Sequence, residues 1–236
     1  MVYWKSLDRV DTPIREAHRI LKKKAKEIAQ TLSFKMDKVG LIFDNSLSMY
    51  GTKEQPYHPM LRAMALSLVL EQVSSEFTVY YTNPTEDSLF PRLGNQSNYA
   101  EPVLDALKDK CDTIVIVGDG YENAPFEGAL HQLLYVYKKK VDKQNNLLAL
   151  HFNPIYGAET KDARPITDLA PTVGVREVKG LNEAMFLAIG KSQPMVAVQK
   201  YLSYLVTLQS NKVKALMPEP LKKAVAKRDK TGLLGM

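Results

Sequence analysis

Apolar and polar residues alternate along this chain in two distinct rhythms. From residue 12 to 32 the apolar positions Ile14, Ala17, Leu21, Ala25, Ile28 and Leu32 recur at helical spacing. Thr12 suits a helix cap and Pro13 the first helical position, so this stretch predicts an amphipathic helix. The Lys22-Lys23-Lys24 run falls off the stripe and is expected to face water. Short, nearly continuous apolar runs follow at Val39–Phe43, Thr113–Val117 and Leu147–Phe152, each the length of a buried strand. Residues 76–82 and 173–178 predict two further strands. Between and after them the spacing predicts helices over 59–73, 100–109, 125–141, 181–189, 195–209 and 218–228. A short helix is expected near 165–170.

Strands that alternate with helices predict an α/β fold: a doubly wound, mostly parallel central sheet, Rossmann-like, with helices on both faces. Amphipathic helices are expected at the N- and C-terminal ends. The chain divides into an N-terminal helix packed on the core (1–37), a central α/β domain (38–190) and a helical C-terminal extension with a basic tail (191–236). The stripe Val196, Val198, Tyr201, Leu202, Leu205 and Leu208 in that extension reads as core in preference to partner surface.

Composition narrows the class. With 236 residues, 45% hydrophobic and 25% charged, the chain can bury a sizeable core. One cysteine, Cys111, excludes an internal disulfide framework and a multi-cysteine zinc site. No run of apolar residues is long enough to span a bilayer. The N-terminal MVYWKSLDRVD carries charges where a secretory leader needs its apolar stretch, so the expected location is cytoplasmic.

Charge is uneven. Residues 1–40 hold ten Lys and Arg against five Asp and Glu, and residues 190–236 hold nine against two, while the centre is acidic. The basic ends read first as solvated helix faces. A nucleic-acid contact is the alternative, although no Arg-rich or aromatic-basic run of the RNA-binding kind occurs.

In a doubly wound sheet, ligands bind beyond the carboxyl ends of the strands. There the chain places oxygen donors. After the first strand stand Asp44, Ser46 and Ser48, which share one side of an extended segment. After the Thr113–Val117 strand stands Asp119, between two glycines. The loop Gly94-Asn95-Gln96-Ser97-Asn98 adds Ser97. Two carboxylates and three hydroxyls suit a hard divalent cation, Mg²⁺, with Mn²⁺ or Ca²⁺ as alternatives. The uncharged hydroxyls would leave such an ion electrophilic.

The run Asp44-x-Ser46-x-Ser48, the loop hydroxyl Ser97 and the later Asp119 together resemble the metal-ion-dependent adhesion site (MIDAS) of von Willebrand factor A (vWA) domains. The layout is most similar to the vWA half of the Ro-type (TROVE) ribonucleoprotein autoantigens: Pro102 follows the Ser97 loop, and Glu122-Asn123 follow Asp119. The resemblance covers about residues 38–180. It implies that Ser46, Ser48 and Ser97 touch the metal and that Asp44 and Asp119 bind it directly or through water. Tyr50, Asn98, Tyr121 and Glu122 would shape a partner surface, and a partner Asp or Glu would complete the metal shell. Three positions depart from the family pattern: Ser97 where Thr is usual, Asn98 where an acid is frequent, and Gly118 where many relatives carry Thr. The RNA-binding helical ring of the Ro-type proteins has no counterpart in the roughly 35 residues before the sheet.

The expected function is therefore non-enzymatic: a cation-dependent protein-interaction module within a larger intracellular complex. The alternatives are an RNA-binding ribonucleoprotein component using the basic ends and, more remotely, a metal-dependent phosphohydrolase. A haloacid-dehalogenase-type site needs a second Asp where Ser46 stands. Gly190-Lys191-Ser192 lacks the leading glycine of a phosphate-binding loop, since Met185 stands there. The four histidines show no metal-ligand spacing.

Overall fold

A computed structural model describes residues 12–32, 34–53, 56–85, 91–155 and 163–175, with separate helical positions between 181 and 212. Five strands form one sheet: β1 (Met36–Phe43), β2 (Ser74–Tyr81), β3 (Thr113–Val117), β4 (Leu148–Asn153) and β5 (Thr172–Gly174). Their order is β2-β1-β3-β4-β5, and every neighbouring pair is parallel. The helices are α1 (Thr12–Ala29), α2 (His58–Val73), α3 (Ala100–Lys108) and α4 (Ala129–Lys140).

Period-2 alternation splits the strand residues into two cores. Val39, Leu41, Phe43, Val115, Val117, Leu150 and Phe152 point to the face covered by α1 and α2, joined there by Leu181, Met185 and Ile189. Ile42, Ile114, Ile116 and Ala149 point to the face covered by α3 and α4. Both faces are dry, which is why these strands read as unbroken apolar runs. Each fully buried Leu, Ile or Phe contributes about 1.5–3 kcal/mol. α1 packs on α2 through Ala25 and Ala29, and Lys22 reaches Glu71 at 3.6 Å across that seam.

The expected doubly wound α/β fold is present, and the sheet is parallel throughout. Local differences have local causes. The expected helix over 125–141 begins only at Ala129, because Gly128 takes φ 86° and the Glu122 carboxylate receives the first free N–H groups. No helix forms at 165–170. There Thr167 pairs with Ala170 in a tight turn, and the Thr167 hydroxyl receives the Leu169 N–H at 3.2 Å. The last strand covers Thr172–Gly174, with 176–180 outside the described residues. The helix expected over 218–228 and the basic tail also lie outside them.

The C-terminal stripe is a correction. Val198, Tyr201, Leu202 and Leu205 are exposed, so they are not core, and Tyr201 touches Phe186 edge-on. Val196 and Leu208 lie outside the described residues. No described helix is long and apolar enough to cross a membrane.

Candidate metal centre

The strand order fixes where a site can form. From β1 the chain crosses to β2 on one side and later returns to β3 on the other, so the loops leaving β1 and β3 diverge and open a crevice. Phe43 is level with Val117, and Val117 with Phe152, which sets Asp44 and Gly118-Asp119 side by side at the sheet's carboxyl edge. The Asp44 N–H still bonds the Val117 carbonyl at 2.9 Å, and the Gly118 N–H the Phe152 carbonyl at 3.2 Å.

The backbone stays extended through Ser46 (φ −76°, ψ 164°) and then coils into a 3₁₀ turn, Leu47–Tyr50. The turn brings the Ser46 and Ser48 hydroxyls to 2.8 Å of each other. Their convergence thus comes from an extended residue followed by a turn, not from extension alone.

The Ser97 loop is tied beside this turn by a buried amide network. Asn45 donates through Nδ2 to the carbonyls of Asn83 (3.0 Å) and Arg92 (2.8 Å) and accepts the Asn83 N–H at 2.9 Å. Asn83 grips Gln96 in turn, donating to its carbonyl at 2.5 Å and accepting its N–H at 3.2 Å. Gly94 and Ser46 form a one-pair parallel bridge. A Cβ on Gly94 would fall 2.2 Å from the Asn83 side chain, so only glycine admits this closure. Asn123 Oδ1 accepts the Ser97 N–H at 2.8 Å, linking the loop to the segment after β3.

Both acids are buried. Asp44 Oδ1 accepts the Ser46 N–H at 2.9 Å and lies 3.2 Å from the Thr82 hydroxyl, whose one proton it shares with Asn45 Oδ1 at 3.1 Å, while Oδ2 accepts the Tyr99 hydroxyl at 2.5 Å. Burial pushes the Asp44 carboxyl up to about 6, and the Asp119 charge adds to the rise, against the bonds from Tyr99 and Ser46. Asp119 Oδ1 accepts the Tyr121 N–H at 2.8 Å. Asp119 Oδ2 is buried without any hydrogen-bond partner. Such an atom is costly to leave unmatched, and a cation would match it.

The five predicted donors therefore gather at one edge of the sheet, in three segments hydrogen-bonded to each other. Among the described residues no three His, Cys, Asp or Glu side chains cluster as a metal site, so the negative charge here is that of two carboxylates. The donor chemistry fits a hard cation bound with water, and fits a soft or tetrahedral metal poorly.

The four predicted surface residues divide. Tyr121 is exposed under the Arg164 guanidinium, 3.7 Å above its ring, and Arg164 also donates to the Gly120 carbonyl at 3.2 Å. Tyr50 is partly exposed against Tyr57. Asn98 Oδ1 accepts the Glu101 N–H at 3.2 Å, and its Nδ2 donates to the Glu101 carboxylate at 3.1 Å, at the start of α3. Glu122 turns inward to accept the N–H groups of Gly128 and Leu130, each at 3.0 Å. Its carboxyl is raised by burial.

Several supporting residues carry no mark in the site motif. Thr82 and Asn83 follow β2, and Asn153 ends β4 and donates to the Asp119 carbonyl at 2.9 Å. The rule that polar residues just past a strand line the crevice finds all three when applied to every strand. Tyr99 is fully buried beneath Asp44, and its hydroxyl is held well above the ordinary tyrosine range, chiefly by burial and then by the two acids. His151 is likewise buried, at 2.9 Å from the Thr172 hydroxyl and 3.1 Å from the Gly118 carbonyl. No protein-family model matches the chain, and no curated protein matches it.

Proposed function

We propose that this chain is a vWA-type, divalent-cation-dependent protein-interaction module that performs no catalysis. The observation carrying this reading is the partnerless Asp119 Oδ2, buried beside a second buried acid whose carboxyl is already raised. Ser46, Ser48, Ser97, Asp44 and Asp119 would hold Mg²⁺, or Mn²⁺ or Ca²⁺. Bound there, the ion supplies an electrophilic position that a carboxylate can fill. A partner protein would provide that carboxylate from an Asp or Glu, flanked by contacts to Tyr121 and Tyr50, the exposed members of the rim. The likeness to the Ro-type vWA half supports an intracellular, cytoplasmic complex as its setting.

Titration calorimetry with Mg²⁺ and Mn²⁺ on the wild type and on Asp119→Asn tests the ion. Retrieval of binding proteins in Mg²⁺, in EDTA and with Asp119→Asn tests the function. Binding of ion and partner that is lost together in the variant is the expected result. A protein that takes up neither ion, or a partner indifferent to EDTA and to the variant, overturns the reading.

A further inference from the structure

A groove opens between the start of α2 and the segment Pro91, Arg92 and Leu93, and none of the five oxygen donors lines it. Its volume is about 650 Å³, ample for more than one large side chain. We propose that it docks an acidic segment of a partner protein. The segment seats leucine or phenylalanine side chains against Met60, Met64 and Leu93 and pairs a carboxylate with Arg92. The inference goes beyond the cation reading and does not depend on it.

Tyr57, Met60, Leu61 and Met64 fall at helical spacing and form one wall. Met60 and Met64 are buried and join the core, whereas Tyr57 and Leu61 are 48% and 51% exposed. α2 is thus apolar toward solvent here as well as toward the sheet. A helix apolar all round is one that something covers. α1 covers its far end, where Lys22 meets Glu71, and Leu61 near its start is left open. The opposite wall is held in place by the Asn45 side chain, which donates to the Arg92 carbonyl at 2.8 Å. Pro56 and Pro91 also line the groove and restrict its backbone. A preformed surface of this kind needs little ordering on binding.

Charge selects the occupant. Among the described residues Arg92 is the only charged one on the groove. It is exposed, and its guanidinium has no hydrogen bond or ion pair with any of them. The chain's own basic end, nine Lys and Arg against two Asp and Glu over 190–236, is repelled from it, in the same copy or a second one. The described lining has no buried polar group to orient a small metabolite. Apolar anchors with a charge at the rim suit a peptide. The groove also continues into the rim of the candidate metal centre. Tyr57 donates its N–H to the Tyr50 carbonyl, and its ring meets Tyr50 edge-on at 4.7 Å.

Panning a phage-displayed library of random peptides on the full chain in EDTA tests the groove without an ion. Selected peptides should combine Asp or Glu with Leu or Phe. With ¹³C-methyl methionine labelling, the best of them should shift the Met60 and Met64 signals and leave Met36 and Met185, buried elsewhere, unmoved. Arg92→Glu should weaken that peptide about tenfold, and a copy with Lys in place of its acids should prefer the variant to the wild type. Leu61→Ser, at an exposed position, should weaken both. A selection that yields no binder, or binders without acids, overturns the proposal. Unmoved Met60 and Met64 signals, or full affinity in Arg92→Glu, overturn it too. Signals that move with decanoate but with no selected peptide would make the groove a site for a small apolar acid, and would also overturn it. Because EDTA is present throughout, loss of the cation reading leaves this result standing, and the converse holds.

Discussion

The His151 Nε2 atom lies 3.1 Å from the carbonyl oxygen of Gly118, one residue before Asp119. The imidazole stands on β4, is wholly buried, and also meets the Thr172 hydroxyl at 2.9 Å. It therefore pins the turn that presents Asp119, from the strand next door. Burial pushes its pKa down from 6.5 to about 4, so in the folded protein Nε2 carries the proton to Gly118 and Nδ1 accepts from Thr172.

This predicts an acid-side loss of stability. The unfolded chain takes up a proton near pH 6.5, whereas the folded chain does not until about pH 4. The contribution of His151 is full above pH 6.5 and falls as the pH drops through that window, by about 3 kcal/mol at its lower end. Asp44 runs the other way. Its carboxyl is raised from 3.8 to about 6, so its penalty grows as pH rises from about 4 to 6. Comparison with His151→Gln cancels the Asp44 effect. Urea unfolding between pH 7.5 and 4.5 should show wild type losing stability relative to the variant, and parallel profiles would contradict this account.

Asp119→Asn should raise stability in the absence of metal. The substitution removes a buried charge that has an unmatched oxygen and that adds to the burial of Asp44. A gain of about 1–2 kcal/mol in EDTA is expected, measured by the urea midpoint, together with lost ion binding. A destabilised variant would mean that the acid is matched by something within the fold.

Asn45→Ala should be among the most damaging single substitutions near the site. It strips partners from the Asn83 carbonyl and N–H, both buried, and from the half-buried Arg92 carbonyl. The expected loss is about 2–3 kcal/mol. Gly94→Ala strikes the same joint through the Asn83 side chain. Both should weaken Mg²⁺ binding as well, because Ser97 is placed by that joint. Thermal unfolding and calorimetry on the two variants check this, and full ion affinity in either would break the link.

Glu122→Ala separates scaffold from contact surface. Its carboxylate caps the start of α4, so its loss should lower stability by about 1 kcal/mol. Mg²⁺ affinity should stay within twofold of wild type. A variant of wild-type stability that no longer retains a partner would restore Glu122 to the contact surface.

Much of this architecture is legible in the residue pattern. β3 is β-branched throughout and dry on both faces, and nothing else fits a run such as Thr113–Val117. Asp44, Ser46, Ser48 and Asp119 announce themselves as polar residues at the ends of such runs. Asn98 and Glu122 have local partners that the sequence pattern does not show. A polar side chain in a loop can serve the nearest helix start as readily as a ligand, and only the fold decides which N–H groups lie in reach. Tyr99 is hidden for another reason. Its hydroxyl acts across 55 residues of sequence on Asp44, through space vacated by Gly118, and no local spacing encodes a three-body fit of that kind. The exposed C-terminal stripe shows the limit of periodicity: an amphipathic face proves that a helix has two sides, not that the fold covers one of them.

The parallel pairing of β1 with β3 has a kinetic meaning. Asp44 and Asp119 become neighbours only after the intervening β2, α2 and α3 have been threaded past, so a long loop must close before either acid meets the other. A nascent chain released up to β2 already carries Asp44, Ser46 and Ser48, but no second carboxylate and no His151 to brace the turn. The cleft is a product of sheet closure, and any ion it captures reports that β1 and β3 have already paired.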